Sequence, residues 1–478
     1  MAEPTPDESP LDGLLTAALR PVLGEVEVTG LRRLTGGASR ETWSFDATTA
    51  DGAVHPLILR RDPPGRPGPA GSMGREARCI VAAGAADLPV PKVLVHSDDV
   101  SLLGAAGIVM ARVEGEAIAR KLLRDDRFER ARRTLVAECG RALAGVHRLD
   151  PSVLGDGTPS AFGGEPDGAD VPAAAPDPLD EMRGALESLG RTTPVFEYAL
   201  RWLESNRPAP TAAPSLVHGD FRLGNLMVDE DGLVAVLDWE LAHLGDPAED
   251  LGWLCVRAWR FGAEGPVAGL GERRELLDAY HDAGGVQIDP EVLRWWEVYG
   301  NLRWGVICMV QTAVFLGGRI PSVELAAVGR RVAETEWDLL LLIAPEATAR
   351  ALAAAEQRAA TAPEIDPIAR AERDLHGRPT AAELLSAVST FLRDDVMPSA
   401  QGGVSFHARV AANVVDMVAR ELEHGDAQRG RRAEALSELA LRDEVELASS
   451  IRHGDLDPVD LLADGVLDRL VVANPRYL

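Results

Sequence analysis

Between Leu216 and Glu240 the chain sets carboxylates and an amide at short intervals: Asp220 follows His218-Gly219, Asn225 comes next, and Asp238 precedes Trp239-Glu240. Two short apolar runs, 226–228 and 233–237, flank residues 229–232, whose Asp and Gly residues have hairpin-turn chemistry. Folding that hairpin brings Asn225, which enters one strand, to the same end as Asp238, which leaves the other. Asp220 lies in the loop just before. One amide oxygen and two carboxylates then converge at one mouth. Hard oxygen donors of this kind suit Mg²⁺, an ion that keeps several waters and bridges substrate phosphates. A carboxylate close to such an ion, but free of it, can accept a hydroxyl proton.

The elements that must hold these groups follow from pattern. Residues 26–110 read as β-rich, with strand character at 41–45 and 57–60 and turns at Gly36-Gly37 and Asp51-Gly52. A Pro/Gly-rich loop, 62–74, leads into a helix over 75–83. Phe128, Ala131, Leu135, Cys139, Leu143 and Val146 recur at helical steps, and 150–178 reads as an exposed loop. Helices are expected over 179–204, 272–284, 290–315 and 322–343. Residues 344–379, with Pro363 and Pro367, read as a partly helical linker. Structure restarts at Thr380, which stands three residues before Glu383 in capping-box spacing. Apolar stripes then recur at Leu384, Val388, Phe391 and at Val410, Val414, Val418, so 380–478 reads as a small all-helical domain with few contacts across the linker.

With those residues in view, the segment resembles the catalytic and metal loops of the aminoglycoside phosphotransferase family. His218-Gly219-Asp220 stands where protein kinases carry His-Arg-Asp, and Asn225 and Asp238 match the loop Asn and the metal-binding Asp. Leu34-Thr35-Gly36-Gly37-Ala38-Ser39 is similar to the phosphate-covering turn. Leu57-Ile58-Leu59-Arg60 occupies the place of the strand bearing the ATP-binding Lys, and Glu76 matches the helix Glu that pairs with it. Val109-Met110-Ala111-Arg112 resembles the adenine hinge. The resemblance implies an α+β, protein-kinase-like bilobal fold followed by a small all-α domain. The implied divisions are an extension (1–25), an N-lobe (26–112), a C-lobe (113–343), a linker (344–379) and the helical tail (380–478).

The roles implied are catalytic for Asp220, Arg222 and His218, and Mg²⁺ binding for Asn225 and Asp238. ATP binding falls to Gly36, Gly37, Ser39, Arg60, Glu76, Met110 and Arg112. Arg60 should point into the cleft and Arg61 away from it, and Asp250 should buttress the catalytic loop. The implied activity is transfer of the ATP γ-phosphate to a hydroxyl of a small molecule. A nucleotide-binding pseudoenzyme or scaffold is the alternative. Arg303-Trp304-Gly305 and Arg60-Arg61-Asp62-Pro63-Pro64-Gly65 resemble the branch related to the kinase-like part of acyl-CoA dehydrogenase fusions, so the acceptor stays open between an amino sugar and a hydroxyacyl thioester. The tail resembles an uncharacterised helical domain found joined to such enzymes. Pairing with copies of itself is the role its stripes suggest.

Composition narrows the field. The 478-residue chain is 46% apolar, enough for a real core, and carries a net charge of −26. That charge argues against a basic nucleic-acid surface and favours solubility or cationic ligands. The N-terminus lacks the basic start and apolar run of a secretory signal, and no apolar run reaches the roughly 20 residues of a membrane span. A cytoplasmic protein without a membrane partner is expected. The cysteines, Cys79, Cys139, Cys255 and Cys308, are far apart and read as buried free thiols.

Overall fold

The computed structural model describes residues 9–34, 40–63, 72–155, 177–210, 212–318, 320–361 and 379–478. Gly36, Gly37 and Ser39, most of the Pro/Gly loop, and Pro363 and Pro367 lie outside them. In chain order the elements used below are α1 (Ser9–Leu23), β1 (Val26–Arg33), β2 (Glu41–Thr49), β3 (Val54–Arg61), α2 (Ser72–Ala85), β4 (Val93–Ser97), β5 (Gly107–Ala111), α3 (Glu129–Val146), α4 (Pro194–Ser205), β6 (Ser215–Val217), β7 (Leu226–Val228), β8 (Leu233–Val236), β9 (His243–Gly245) and α5 (Ala248–Cys255). They continue with α6 (Arg273–Asp282), α7 (Val332–Ile343), α8 (Pro345–Thr361), α9 (Ala381–Phe391), α10 (Gly402–Glu438), α11 (Glu444–His453) and α12 (Val459–Ala473). The chain divides into two compact units. The first takes residues up to Pro178 and from Pro208 to Glu297; the second takes Leu179–Arg207 and Val298–Leu478.

In the first unit, β1 to β5 form an antiparallel sheet in the order β1-β2-β3-β5-β4. Strand alternation sorts its side chains onto two faces. Trp43, Phe45, Ala47, Leu57, Leu59 and Val109 pack on one face against Leu11, Leu15, Ala18 and Leu19 of α1. The N-terminal segment read as an extension is therefore a core element. Its apolar residues recur at four- and three-residue steps behind a run of acidic residues that drew attention to charge instead. The opposite face carries Ile58 and Met110, which meet Met73 and Ala77 of α2. Arg60 and Arg61 fall on opposite faces, and Arg61 donates through Nε to Glu41 at 3.1 Å.

After β5 the backbone crosses to the β7–β8 hairpin. Glu116 N–H donates to Val228 O (2.8 Å) and Val228 N–H to Glu116 O (3.0 Å). Gly115 precedes this crossing at φ 153°, where a Cβ would sit 2.8 Å from Met227 Cγ and 3.0 Å from Val228 O, so any side chain would push the strands apart. The hairpin forms where the sequence places it. β7 and β8 pair antiparallel, and Asp229 Oδ1 accepts the N–H groups of Asp231 (2.7 Å) and Gly232 (3.0 Å) in the turn. Glu138 of α3 accepts Leu233 N–H at 2.6 Å and pins the hairpin from outside.

The second unit is helical. Thr193 caps α4 by accepting Phe196 N–H, with Pro194 at the first helical position. The helices expected over 179–204 are two, Pro178–Leu189 and α4. Thr380 and Glu383 form the reciprocal capping box that opens α9. The linker region is helical over α8, and α10 runs for 37 residues. α11 packs on α4, and α12 packs on α7, α8 and α10. The expectation of few contacts across the linker is corrected: helices from both sides of it share one unit. Buried ion pairs such as Glu197–Arg452 and Glu336–Arg469 are among the joining contacts, and hydropathy patterning does not reveal them. All four cysteines are buried free thiols, as expected. Among the described residues, no helix is long and apolar enough to cross a membrane.

Candidate active site

The site lies in the first unit, at the mouth of the β7–β8 hairpin. Leu237 N–H donates to Asn225 O at 2.8 Å, which ties the two strand ends together as the turn reading requires. The Asp220 carboxylate is held from three directions. Its Oδ1 accepts from Arg222 Nε and from Trp253 Nε1, both at 2.9 Å, and its Oδ2 accepts from Asn225 Nδ2 at 2.6 Å. Three donors fix the orientation of the group while it keeps some exposure, 14% of the side chain. The Arg222 guanidinium stacks 4.7 Å from the Trp259 ring centre, and Trp259 leans on Trp253.

Beneath this loop, Asp250 of α5 is fully buried. Its two oxygens accept the backbone N–H groups of His218 (2.7 Å) and Gly219 (2.9 Å), and His147 Nε2 lies 3.1 Å away. Burial opposes its charge, but the His147 contact and the backbone donors outweigh burial and hold its pKa below the usual carboxylate value. Asp250 is the expected buttress. Gly219 makes the loop feasible: at φ 77° a Cβ would come within 2.3 Å of Leu241 O. His218 is completely buried. Its Nδ1 accepts Asp220 N–H (3.2 Å), so Nε2 carries the hydrogen donated to Leu237 O (3.1 Å). Burial pushes its pKa down and keeps the ring neutral. Both ring nitrogens thus bond to backbone, and His218 braces the loop that carries Asp220.

Asp238 has left-handed backbone, φ 67° and ψ 63°. A non-glycine residue there costs roughly 1–3 kcal/mol and is typical of functional sites. Its Oδ1 lies 2.5 Å from Arg60 Nη2. Arg60 also pairs with Glu76, and its Nη2 lies 3.4 Å from Glu240 Oε2. One guanidinium therefore serves three carboxylates. Burial opposes ionisation of Asp238, yet the Arg60 charge and hydrogen bond bring its pKa below normal. At Glu76 burial prevails over Arg60, and the pKa is pushed up to about 7. Arg40, buried at the start of β2, donates to Glu240 (3.1 Å) and Asp62 (2.7 Å).

The oxygen donors of Asp238 and Asn225 fit Mg²⁺. Among the described residues no three His, Cys, Asp or Glu side chains gather as an all-protein metal cage. Two protein oxygens at a cleft mouth are what an ion shared with phosphate requires.

The hinge residues sit differently from expectation. Met110 is buried in mid-strand, paired with Ile58 on one side and Val93 on the other. The N–H groups of Ala111 and Arg112 are taken by Lys92 O and Pro56 O. The Arg112 guanidinium reaches Ser44 Oγ (3.0 Å) and Asp46 Oδ1 (3.2 Å), so it ties β5 to β2 instead of joining Arg60. Sequence reading gave no role to Arg40, Glu240, Trp253 or Trp259. For Trp253 a signal existed: it lies one helical turn after Asp250, so both face the same loop.

Residues 30–296 match the family described as Phosphotransferase enzyme family, and residues 398–477 match the domain of unknown function DUF6285. Acyl-CoA dehydrogenase family member 10 of Mus musculus is 32% identical over 204 residues, which cover 42% of this chain and 18% of that protein. Acyl-CoA dehydrogenase family member 11 of Rattus norvegicus is 30% identical over 202 residues, 42% of this chain and 25% of the relative. The chain thus spans about a quarter or less of the length of these relatives. A Ralstonia eutropha crystal structure assigned by name to the aminoglycoside phosphotransferases aligns with a TM-score of 0.52 at 22% identity, covering 69% of this chain and 97% of that one. The fold is protein-kinase-like, a β-sheet N-terminal region followed by a mostly helical remainder.

Proposed function

Since this chain belongs to the phosphotransferase enzyme family, we propose that it moves the γ-phosphate of ATP to a hydroxyl of a small molecule and releases ADP. The observation that carries this reading is the Asp220 carboxylate, fixed by three donors, beside Asn225 and at the hairpin mouth that also presents Asp238. Asp220 holds the acceptor hydroxyl and takes its proton as the oxygen–phosphorus bond forms and the bond to the ADP oxygen breaks. Arg222 balances charge on the phosphoryl group in transit. Asn225 and Asp238 would hold Mg²⁺, which would supply positive charge against the transferring phosphate. Arg60, braced by Glu76, supplies a guanidinium that can grip phosphate with two N–H groups. Phosphate binding by Gly36, Gly37 and Ser39 is what the family resemblance implies for the segment that precedes β2 in sequence. Backbone contact with the base falls to the residues just after Arg112, because the preceding N–H groups are already bonded within the sheet.

The acceptor class is a choice between an amino sugar-like and a hydroxyacyl-CoA-like hydroxyl. The acyl-CoA dehydrogenase names of the relatives support the second. An ADP-release screen with ATP and with GTP, over amino sugars, macrolides, choline-like amines and hydroxyacyl-CoAs, tests the activity. Turnover with one class identifies the acceptor. ATP binding with no turnover on any class would favour the scaffold reading instead.

A further inference from the structure

Four carboxylates in the second unit are buried, and each meets a donor from the C-terminal helices. Glu197 on α4 is 1% exposed and accepts from Arg452 Nε (3.0 Å) and Nη2 (2.7 Å). On α7, Glu336 is 1% exposed and accepts from Arg469 at 2.6 Å. Asp338 accepts from the Tyr477 hydroxyl at 2.6 Å, and Glu334 from Asn474 Nδ2 at 2.9 Å. A rim of exposed pairs surrounds these contacts, among them Arg350–Asp460 and Arg330–Glu421.

Glu334 also pairs with Arg331 (2.9 Å) and Glu197 also accepts from the Thr192 hydroxyl (2.8 Å), but the cations that Glu197 and Glu336 receive here are Arg452 and Arg469. A buried carboxylate that loses its cation is strongly destabilising, so these two groups depend most on the C-terminal helices. Arg452, Arg469, Asn474 and Tyr477 all belong to the stretch 398–477, to which no role is assigned. The donors are spread over α11, α12 and the residues after it, so only the folded module presents them together.

We propose that residues 398–477 are a docking module whose partner is the carboxylate-bearing pair α4 and α7 of the same chain. Its task is to supply two guanidiniums and two neutral hydrogen-bond donors to the buried carboxylates of those helices. The surface fits a helical module offering two arginines, an amide and a phenol at these positions. The inference is independent of the phosphotransfer reading, since none of these residues belongs to the active site.

The test uses the full chain, with a protease recognition sequence introduced within 362–378. After folding and cleavage, size exclusion with light scattering follows the two fragments at 0.15 M and 1 M NaCl, conditions in which exposed pairs are screened and buried ones far less so (a Debye length of about 8 Å against about 3 Å). The fragments are expected to travel together, one to one, at both salts. Arg452→Met with Arg469→Met should weaken their association about 100-fold. Fragments that part at 0.15 M NaCl, or an association untouched by the double substitution, would overturn the proposal. Should the double variant fail to fold, single Arg469→Met is compared with Arg469→Met/Glu336→Gln. Removing the stranded charge must recover thermal stability, and no recovery counts against the proposal.

Discussion

Two clusters of carboxylates, one at the hairpin mouth and one in the helical unit, are treated differently. At the hairpin mouth one guanidinium, Arg60, is shared among Glu76, Asp238 and Glu240. In the helical unit Glu197, Glu334, Glu336 and Asp338 each receive a donor from the C-terminal module. The helical cluster is matched group for group and is suited to staying closed. In the cleft cluster three carboxylates share Arg60, and Glu240 accepts from Arg40 as well. A cation arriving there relieves repulsion instead of disturbing a finished network. Burial alone thus does not distinguish a structural carboxylate from a functional one; the ratio of donors to acceptors does.

The comparison can be broken most forcefully at Asp220. Asp220→Ala should lower turnover by about 10²–10⁴-fold, the usual contribution of a positioned base, while ATP affinity by calorimetry changes little. Near-normal turnover would remove Asp220 from the chemistry. The next largest effect belongs to the matched cluster. Arg469→Met strands Glu336 and should cost about 3 kcal/mol in denaturant unfolding. Asp238→Asn keeps the shape and tolerates left-handed backbone, so its melting point should stay close to wild type while the Mg²⁺-dependent part of ATP affinity disappears. Equal stability losses in these two variants would dissolve the distinction drawn above.

A smaller change is expected at the loop. Trp253→Phe deletes one of three donors to Asp220 and should reduce kcat about 10-fold, the order of one hydrogen bond to a charged group, with KM nearly unchanged. A parallel rise in KM would point to acceptor binding instead. The gentlest effect is in the pH dependence of stability. Glu76 has a folded pKa raised to about 7, above the roughly 4.3 of an unfolded Glu. The folded state therefore binds the extra proton between those values. Its contribution to stability is full below the unfolded pKa and is lost as pH rises through about 7. Glu76→Gln should flatten that decline between pH 5 and 7.5 in urea unfolding. Asp250 has the opposite sign, since its depressed pKa gives stability that is lost as pH falls.

Much of the catalytic hairpin was legible because its signals are local. Asp229 and Gly232 mark the turn, and strand direction alone returns Asp238 to the end where Asn225 begins. Arg60 and Arg61 were separable by strand alternation. Contacts made across long stretches of chain were not legible. Nothing near Glu240 announces Arg40, and nothing in α7 tells that Glu334, Glu336 and Asp338 are inside, because charged residues at close intervals read as a solvated face. Motif matching at Met110 and Arg112 does not say that the sheet already uses the Ala111 and Arg112 N–H groups. The apolar period of α1 is open in the sequence, behind an acidic segment.

The paired backbone bonds between Glu116 and Val228 also join the segment that leaves β5 to the turn end of the hairpin. At its mouth the hairpin is held to the sheet by a side chain, through the Arg60–Asp238 pair. The two ties differ in kind: a substitution at Arg60 cuts the second and leaves the first in place.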